Sequence, residues 1–505
     1  MTIRYRMIPA AFAACLASAA FPAMAGKSND TLIWLSNSEP NNIDMNANTL
    51  REGIILGRHI WDCLMEFDPK SGEFKPSLAK SFKWLDATTI QFDLREDVVF
   101  HNGEKFDADD VVYTMSYLAD PESKLAATSR FKFIAGAEKL GPYKVNVKLK
   151  SPYPAAMLYL ASVIPIYPNE YHAKVGTKGM AQKPVGTGPY KATEISYGKR
   201  FVLEKFDKYM KGGPKTPHIG KLIFRQIEER GTQMAELLSG GADWTWRVPP
   251  DLAKNLKGRK GFTVTEGETM RISYIQMDAS GKSGDHPMKK KLVRQAISYA
   301  IDRDEIRKAL VGERARVLHA ACFPTQFGCD DTGVKRYTYD PAKAKALLAE
   351  AGYPNGFETP FFAYRDREIA EALIGQLRKV GIQAKMTYIT ADAIRDLRRK
   401  QGVALNFGTW GSSSIDDVTA ILGNWFQGDA DDTAQDKKVI DLLNQGNSTD
   451  PELRKKVYNE ALKIIAEEAY WLPMFSSVYN YAFVDQLDFE PSADEMPRFW
   501  NAKWK

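Results

Sequence analysis

Residues 410–418 read Trp-Gly-Ser-Ser-Ser-Ile-Asp-Asp-Val. The hydroxyls of Ser412, Ser413 and Ser414 donate and accept hydrogen bonds but cannot neutralise an ion, whereas Asp416 and Asp417 can. An ammonium group buried here would need one of those carboxylates, because an unpaired buried charge is costly. The serines and nearby backbone amides would instead suit a neutral or anionic polar group. A third reading assigns both aspartates to capping the helix expected over "DVTAILGNWF". Arg365 and Arg367, in "AYRDREIAE", carry the planar fork that grips a carboxylate with two bonds; each would equally suit the surface beside a helix. Trp410, Trp244 and Trp246 sit at expected strand ends or turns, and Tyr274 and Gln276 follow in a further strand. A ligand cleft uses aromatic area and a few such polar groups, with core packing as the competing reading for each tryptophan.

This is the chemistry of binding. There is no G-x-S-x-G elbow, no H-E-x-x-H and no G-x-x-x-x-G-K-[ST] phosphate loop. "GTGPY" lacks the Lys-Ser/Thr and the following helix of such a loop. Asp109-Asp110 and Glu228-Glu229 lie beside helix starts, where acids favour the dipole. The 6 histidines are scattered and no C-x-x-C occurs, so no metal or other cofactor is expected.

The elements that must position these groups alternate between the two periods. "TIQFDL" and "YKVNVKLK" alternate as half-buried strands. "HNGE" carries a turn signal, and Asp107 with Asp110 makes a capping-box pattern before a helix. "GKLIFRQIEERGTQMAELLSGGADWTW" reads strand, helix from Arg230 to just before Gly240-Gly241, then strand. The spacing predicts helix over 288–313, where Val293, Ala296, Ile297, Ala300 and Ile301 share a face. Asp340, Pro341 and Gly352 bound another helix. Residues 451–473 read as a last long helix ending before Pro473. Helices alternating with single strands imply a mixed α/β chain. Neither a 20–50-residue repeat nor a low-complexity linker is visible.

With 505 residues, 44% hydrophobic and 26% charged, the chain has ordinary globular composition. Net charge is +6 with both signs spread along the sequence, and no basic block of the kind nucleic-acid binding needs is present. "MTIRYR", the apolar "MIPAAFAACLASAAF" and "AMA" before Gly26 form a secretory signal over residues 1–25, cut after Ala25; lipidation at Cys15 is the alternative. Among the remaining cysteines, Cys322 and Cys329 bracket the short loop "FPTQFG" and are expected to form a disulfide in an oxidising compartment, leaving Cys63 as a small buried hydrophobe.

"AKSFKWLDATTIQFDLREDVVFHNGEKFDADDVVYTM" resembles the signature region of the family 5 extracellular solute-binding proteins, the peptide- and nickel-type binding proteins of ABC importers. "PVGTGPYK", "LLSGGADW", "VRQAISYAIDR", "YDPAKAKALLAEAGYPNG" and "LRKVGI" follow in the family's order, from about residue 30 to the C-terminus. The resemblance implies an α/β, two-lobed periplasmic binding protein fold with two hinge crossings. Lobe I would span 26–270 with an extra subdomain at about 58–184, lobe II 271–472, and 473–505 would return to lobe I. It implies a non-enzymatic, monomeric periplasmic protein. Such a protein would capture dipeptides, oligopeptides or peptide-like solutes by lobe closure and deliver them to a membrane permease with its ATPase subunits. Peptide-binding relatives often read W-G-x-D-Y-x-D-P at the matching stretch, where the first aspartate meets the peptide's amine. Here that position is Ser413, the later acid falls on Asp416, and Asp417 replaces the proline. The expected ligand contacts are therefore Trp410, Ser412, Ser413, Ser414, Asp416, Arg365, Trp246, Tyr274 and Gln276. Loss of the usual anchor leaves open a non-peptide ligand: an opine, a sugar-phosphate conjugate or another acidic small molecule. A secreted hydrolase is the remaining alternative.

Overall fold

The computed structural model describes residues 26–48, 50–123, 125 and 130–505. The expected signal segment and Cys15 lie outside them. A ten-stranded mixed sheet runs through the molecule. At its centre Phe262–Met277 and Trp471–Val484 pair antiparallel, from Phe262 opposite Val484 to Gln276 opposite Trp471. On the lobe I side lie Trp244–Trp246, Thr31–Ser36, Lys221–Gln226, Arg200–Lys205 and Tyr190–Ser196, in that order. On the lobe II side lie Leu405–Trp410, Phe357–Ala363 and Ile382–Tyr388. The two long strands thus belong to both lobes. Their register shifts between Thr269 and Ile272 and again between Ile272 and Tyr274. Such irregularities bend a strand and re-aim its side chains, and Arg271 sits inside this one.

The extra subdomain has its own four-stranded sheet, ordered Ala79–Asp86, Thr89–Leu94, Lys144–Leu149, Ile134–Gly141. Alternation along Thr89–Leu94 puts Ile90, Phe92 and Leu94 into a core with Phe100, Val111 and Met115. The helix Ala108–Ala119 begins with a full capping box between Asp107 and Asp110. Lobe I packs Trp34, Trp244, Trp246, Phe499 and Trp500 together. The chain's end therefore belongs to the lobe I core.

Two expected helices are shorter than their spacing suggests. Residues 288–313 break into Lys291–Tyr299, Arg303–Ile306 and a wider turn at Arg307–Val311. Asp302 causes the break, because its side chain accepts from the Glu305 amide at 2.9 Å and starts a new helix. The last long helix, Pro451–Glu467, stops before Ala469, which takes a left-handed φ of 51°. The aromatic run from Trp471 is strand, not helix, because it is needed as the return crossing.

Candidate ligand-binding cleft

The serine loop hangs from the end of strand Leu405–Trp410, where the sheet of lobe II meets lobe I. Ser412, Ser413 and Ser414 all adopt left-handed backbone, with φ of 49°, 52° and 64°. Three successive non-glycine residues in that region are strained, and such strain persists only where surrounding contacts hold it. Those contacts are visible. Arg51, first residue of helix Arg51–Ile60 in lobe I, donates to Ser414 Oγ at 2.5 Å. Ser414 Oγ in turn donates to the Asp494 carbonyl at 2.6 Å. From behind, the Phe327 amide donates to the Asp416 carbonyl at 3.2 Å, and Gln326 donates to the Ile415 carbonyl at 2.9 Å. This bracing loop is closed by a bond between Cys322 and Cys329, whose Cα atoms are 5.8 Å apart. Burial pushes the thiol of Cys63 up to about 12.

The two aspartates have different roles. Asp417 caps helix Val418–Trp425 through the Thr419 amide at 2.9 Å and pairs with Arg454 at 2.7 Å. Asp416 does not share the cap. Its Oδ1 is buried without a hydrogen-bond partner among the described residues. Burial, helped by the nearby Asp417 and Asp494 charges, raises its carboxyl to about 6. Ser412 Oγ is likewise buried and unpartnered among the described residues.

Beside the loop lies a cluster of guanidinium groups that sequence reasoning missed. Arg271 grips Glu495 with Nε at 2.7 Å and Nη2 at 2.8 Å, and Arg51 reaches the same carboxylate at 3.0 Å. Burial alone would raise Glu495, but Arg271 and Arg51 outweigh it and hold it well below the usual carboxylate range. Arg247 lies over the Trp246 ring at 4.1 Å and the Tyr479 ring at 5.0 Å, and reaches Glu52 at 3.5 Å. Arg130, from the extra subdomain, donates to the Asn48 carbonyl at 3.0 Å and pairs with no carboxylate among the described residues. A signal existed for Arg271, a charge in the middle of an otherwise buried strand, "MRISYIQM". None marks Arg51 or Arg130.

The expected contact residues divide. Trp410, Ser412, Ser413, Ser414 and Asp416 are together in one loop. Trp246 is fully buried in the lobe I core, donating through Nε1 to Ser36 at 3.2 Å while its face carries Arg247. Arg365 is half-buried beside an exposed Asp366. Arg367 instead pairs with Glu371 at 2.9 Å on the helix surface. Tyr274 and Gln276 are not brought to the loop's polar face. Tyr274 stacks on Trp471 at 3.6 Å inside the lobe II core, and Gln276 is buried, donating to the Asp431 carbonyl at 3.4 Å. Alternation and register turn these two into the lobe.

Two lobes, two shared strands and a polar loop facing a charged wall define a hinged solute-binding protein. The match to the model of bacterial extracellular solute-binding proteins, family 5, covers residues 73–432, and the chain belongs to that family. It is 27% identical over 474 residues to the glutathione-binding protein GsiB of Salmonella paratyphi A (strain ATCC 9150 / SARB42), covering 90% of each chain. It is 28% identical over 428 residues to GsiB of Escherichia coli (strain K12), covering 80% of this chain and 81% of that one. Among solved structures, the dipeptide binding protein from Pseudoalteromonas sp. SM9913 in complex with Met-Leu superposes with a TM-score of 0.83 at 22% identity, covering 94% of this chain and 100% of that one. AgaA from A. tumefaciens R10 in complex with agropinic acid superposes at 0.81 with 25% identity, covering 94% and 99%. No helix among the described residues is long and apolar enough to cross a membrane.

Proposed function

We propose that this protein is the solute-capturing component of a peptide-type ABC importer. It is exported by residues 1–25 and works in the periplasm as a monomer that docks on a permease with its ATPase subunits. Its ligand is a dipeptide, an oligopeptide or a peptide-like solute. The observation that carries the reading is the tie between lobes: Ser414 of lobe II is held by Arg51 and by the Asp494 carbonyl of lobe I. Closure of this kind buries a ligand and presents the permease with a changed surface. The GsiB relatives support a peptide-like ligand, since glutathione is a tripeptide with two carboxylates.

The arginine-rich wall favours an acidic ligand, which keeps a non-peptide acid as a second reading. Native mass spectrometry of the exported protein separates the two. Short-peptide masses that leave on unfolding are expected. A single non-peptide mass would replace the peptide assignment, and turnover of added peptides would replace the transport role with a hydrolytic one.

A further inference from the structure

Between the extra subdomain and lobe II is a cavity of about 40 Å³, walled by Arg130, Tyr153 and Tyr159 on one side and Trp410, Ser413 and Asn424 on the other. That volume holds a group of a few atoms, the end of a ligand and not the whole of one. Arg130 is 7% exposed. A guanidinium has five donor hydrogens, and the Asn48 carbonyl takes one Nη1 bond. Burial, with repulsion from Arg51, lowers its pKa to about 10. The other cation at the cavity, Lys132, is already neutralised by Asp429 at 2.7 Å. No carboxylate is among the described residues lining the cavity. Of the two nearest acids along the chain, Asp417 is bound to Arg454, and Asp416, whose carboxyl is raised to about 6 by burial and the adjacent acids, is not among the residues lining the cavity.

We infer that the cavity is a carboxylate subsite, in which Arg130 and the Ser413 hydroxyl receive an anionic end of the ligand against the rings of Trp410 and Tyr159. The inference rests on the solute-capturing reading and narrows its ligand class. A carboxylate completes the two-pronged bonding that a guanidinium is built for and removes an uncompensated buried charge. An ammonium would meet only the like charge of Arg130. Tyrosine and tryptophan rings supply contact area without adding charge. The strained backbone of Ser413 places its hydroxyl on this wall while Ser414 is engaged by the other lobe.

The test titrates the exported protein with glutathione, Ala-Glu and Ala-Ala, and with the corresponding peptide amides, by calorimetry. Amidation of the ligand carboxylate is expected to weaken binding to the native protein about tenfold or more. Arg130→Gln should weaken the free acids by a similar factor yet bind the amides as the native protein does, with Arg130→Lys intermediate. An amidation penalty that is the same in Arg130→Gln as in the native protein overturns the subsite and leaves the peptide reading standing. Failure of every probe, with no peptide co-purifying, overturns the peptide reading itself. Ser413→Asp covers the case in which Arg130→Gln does not fold. Aspartate tolerates left-handed backbone, and its charge would occupy Arg130, so affinity for the free acids should fall about tenfold or more. Unchanged affinity there counts against the subsite.

Discussion

Arg271 and Glu495 form a two-pronged ion pair at 2.7 and 2.8 Å, joining the irregular stretch of a strand shared by both lobes to the C-terminal tail. Arg51 makes the third contact to the same carboxylate and also holds Ser414. Glu495 is thus the counter-charge for two buried guanidinium groups. Removing one partner of a buried pair leaves the other charge uncompensated. Glu495→Gln should therefore lower unfolding free energy by about 3–5 kcal/mol, read by chemical denaturation. A change within about 0.5 kcal/mol, the usual range for a surface substitution, would mean that the pair is not structural.

The same carboxyl sets an acid limit. Its folded pKa lies below the ordinary 4.5. Its contribution is therefore fully present above that value and fades as pH falls through the lower, folded value. Melting curves taken downward from pH 5 should show a loss of stability that Glu495→Gln lacks.

Asp416 works in the opposite direction. Its carboxyl is raised from 3.8 to about 6, so between these values the native protein keeps a proton that the unfolded chain has lost. Stability should fall as pH rises through that window and then level off. Asp416→Asn should remove this part of the slope and gain about 1–2 kcal/mol at pH 7, a figure discounted for the residue's partial exposure. A variant that keeps the slope would assign it to another buried acid, such as Asp243, raised to about 6 by burial.

Ser414→Ala deletes both the Arg51 and the Asp494 contacts of one hydroxyl. Each hydrogen bond is worth about 1 kcal/mol net, so ligand dissociation measured by stopped flow should speed up by about tenfold. Association, which begins with open lobes, should change much less. An unaltered dissociation rate would show that this tie does not hold the closed state.

The Cys322–Cys329 bond closes the loop that braces residues 415–418. Cross-linking a loop of this length stabilises by about 2–3 kcal/mol. Cys322→Ser with Cys329→Ser should lower the Tm and weaken ligand binding together. A lower Tm with unchanged affinity would confine the brace to stability.

Local chemistry was legible in the chain itself. The Asp107–Asp110 capping box, the Asp340–Pro341 helix start and the strand Thr89–Leu94 rest on neighbours in sequence, and each formed where its pattern lies. The Trp410–Asp417 loop was visible because its polar run follows an apolar strand. Competition between local bonds was harder to read: the Asp302 cap split a helix whose apolar face continued past it. The charges around the loop could not be read from sequence. Arg51 and Ser414 are 363 residues apart, and Arg271 and Glu495 are 224 apart. Only the crossing of two shared strands and the burial of the tail bring them together. Sequence alone determined that residues 410–417 form a polar loop; whether Ser413 faces a cation or an anion was decided by the packing of the extra subdomain, which puts Arg130 on its opposite wall.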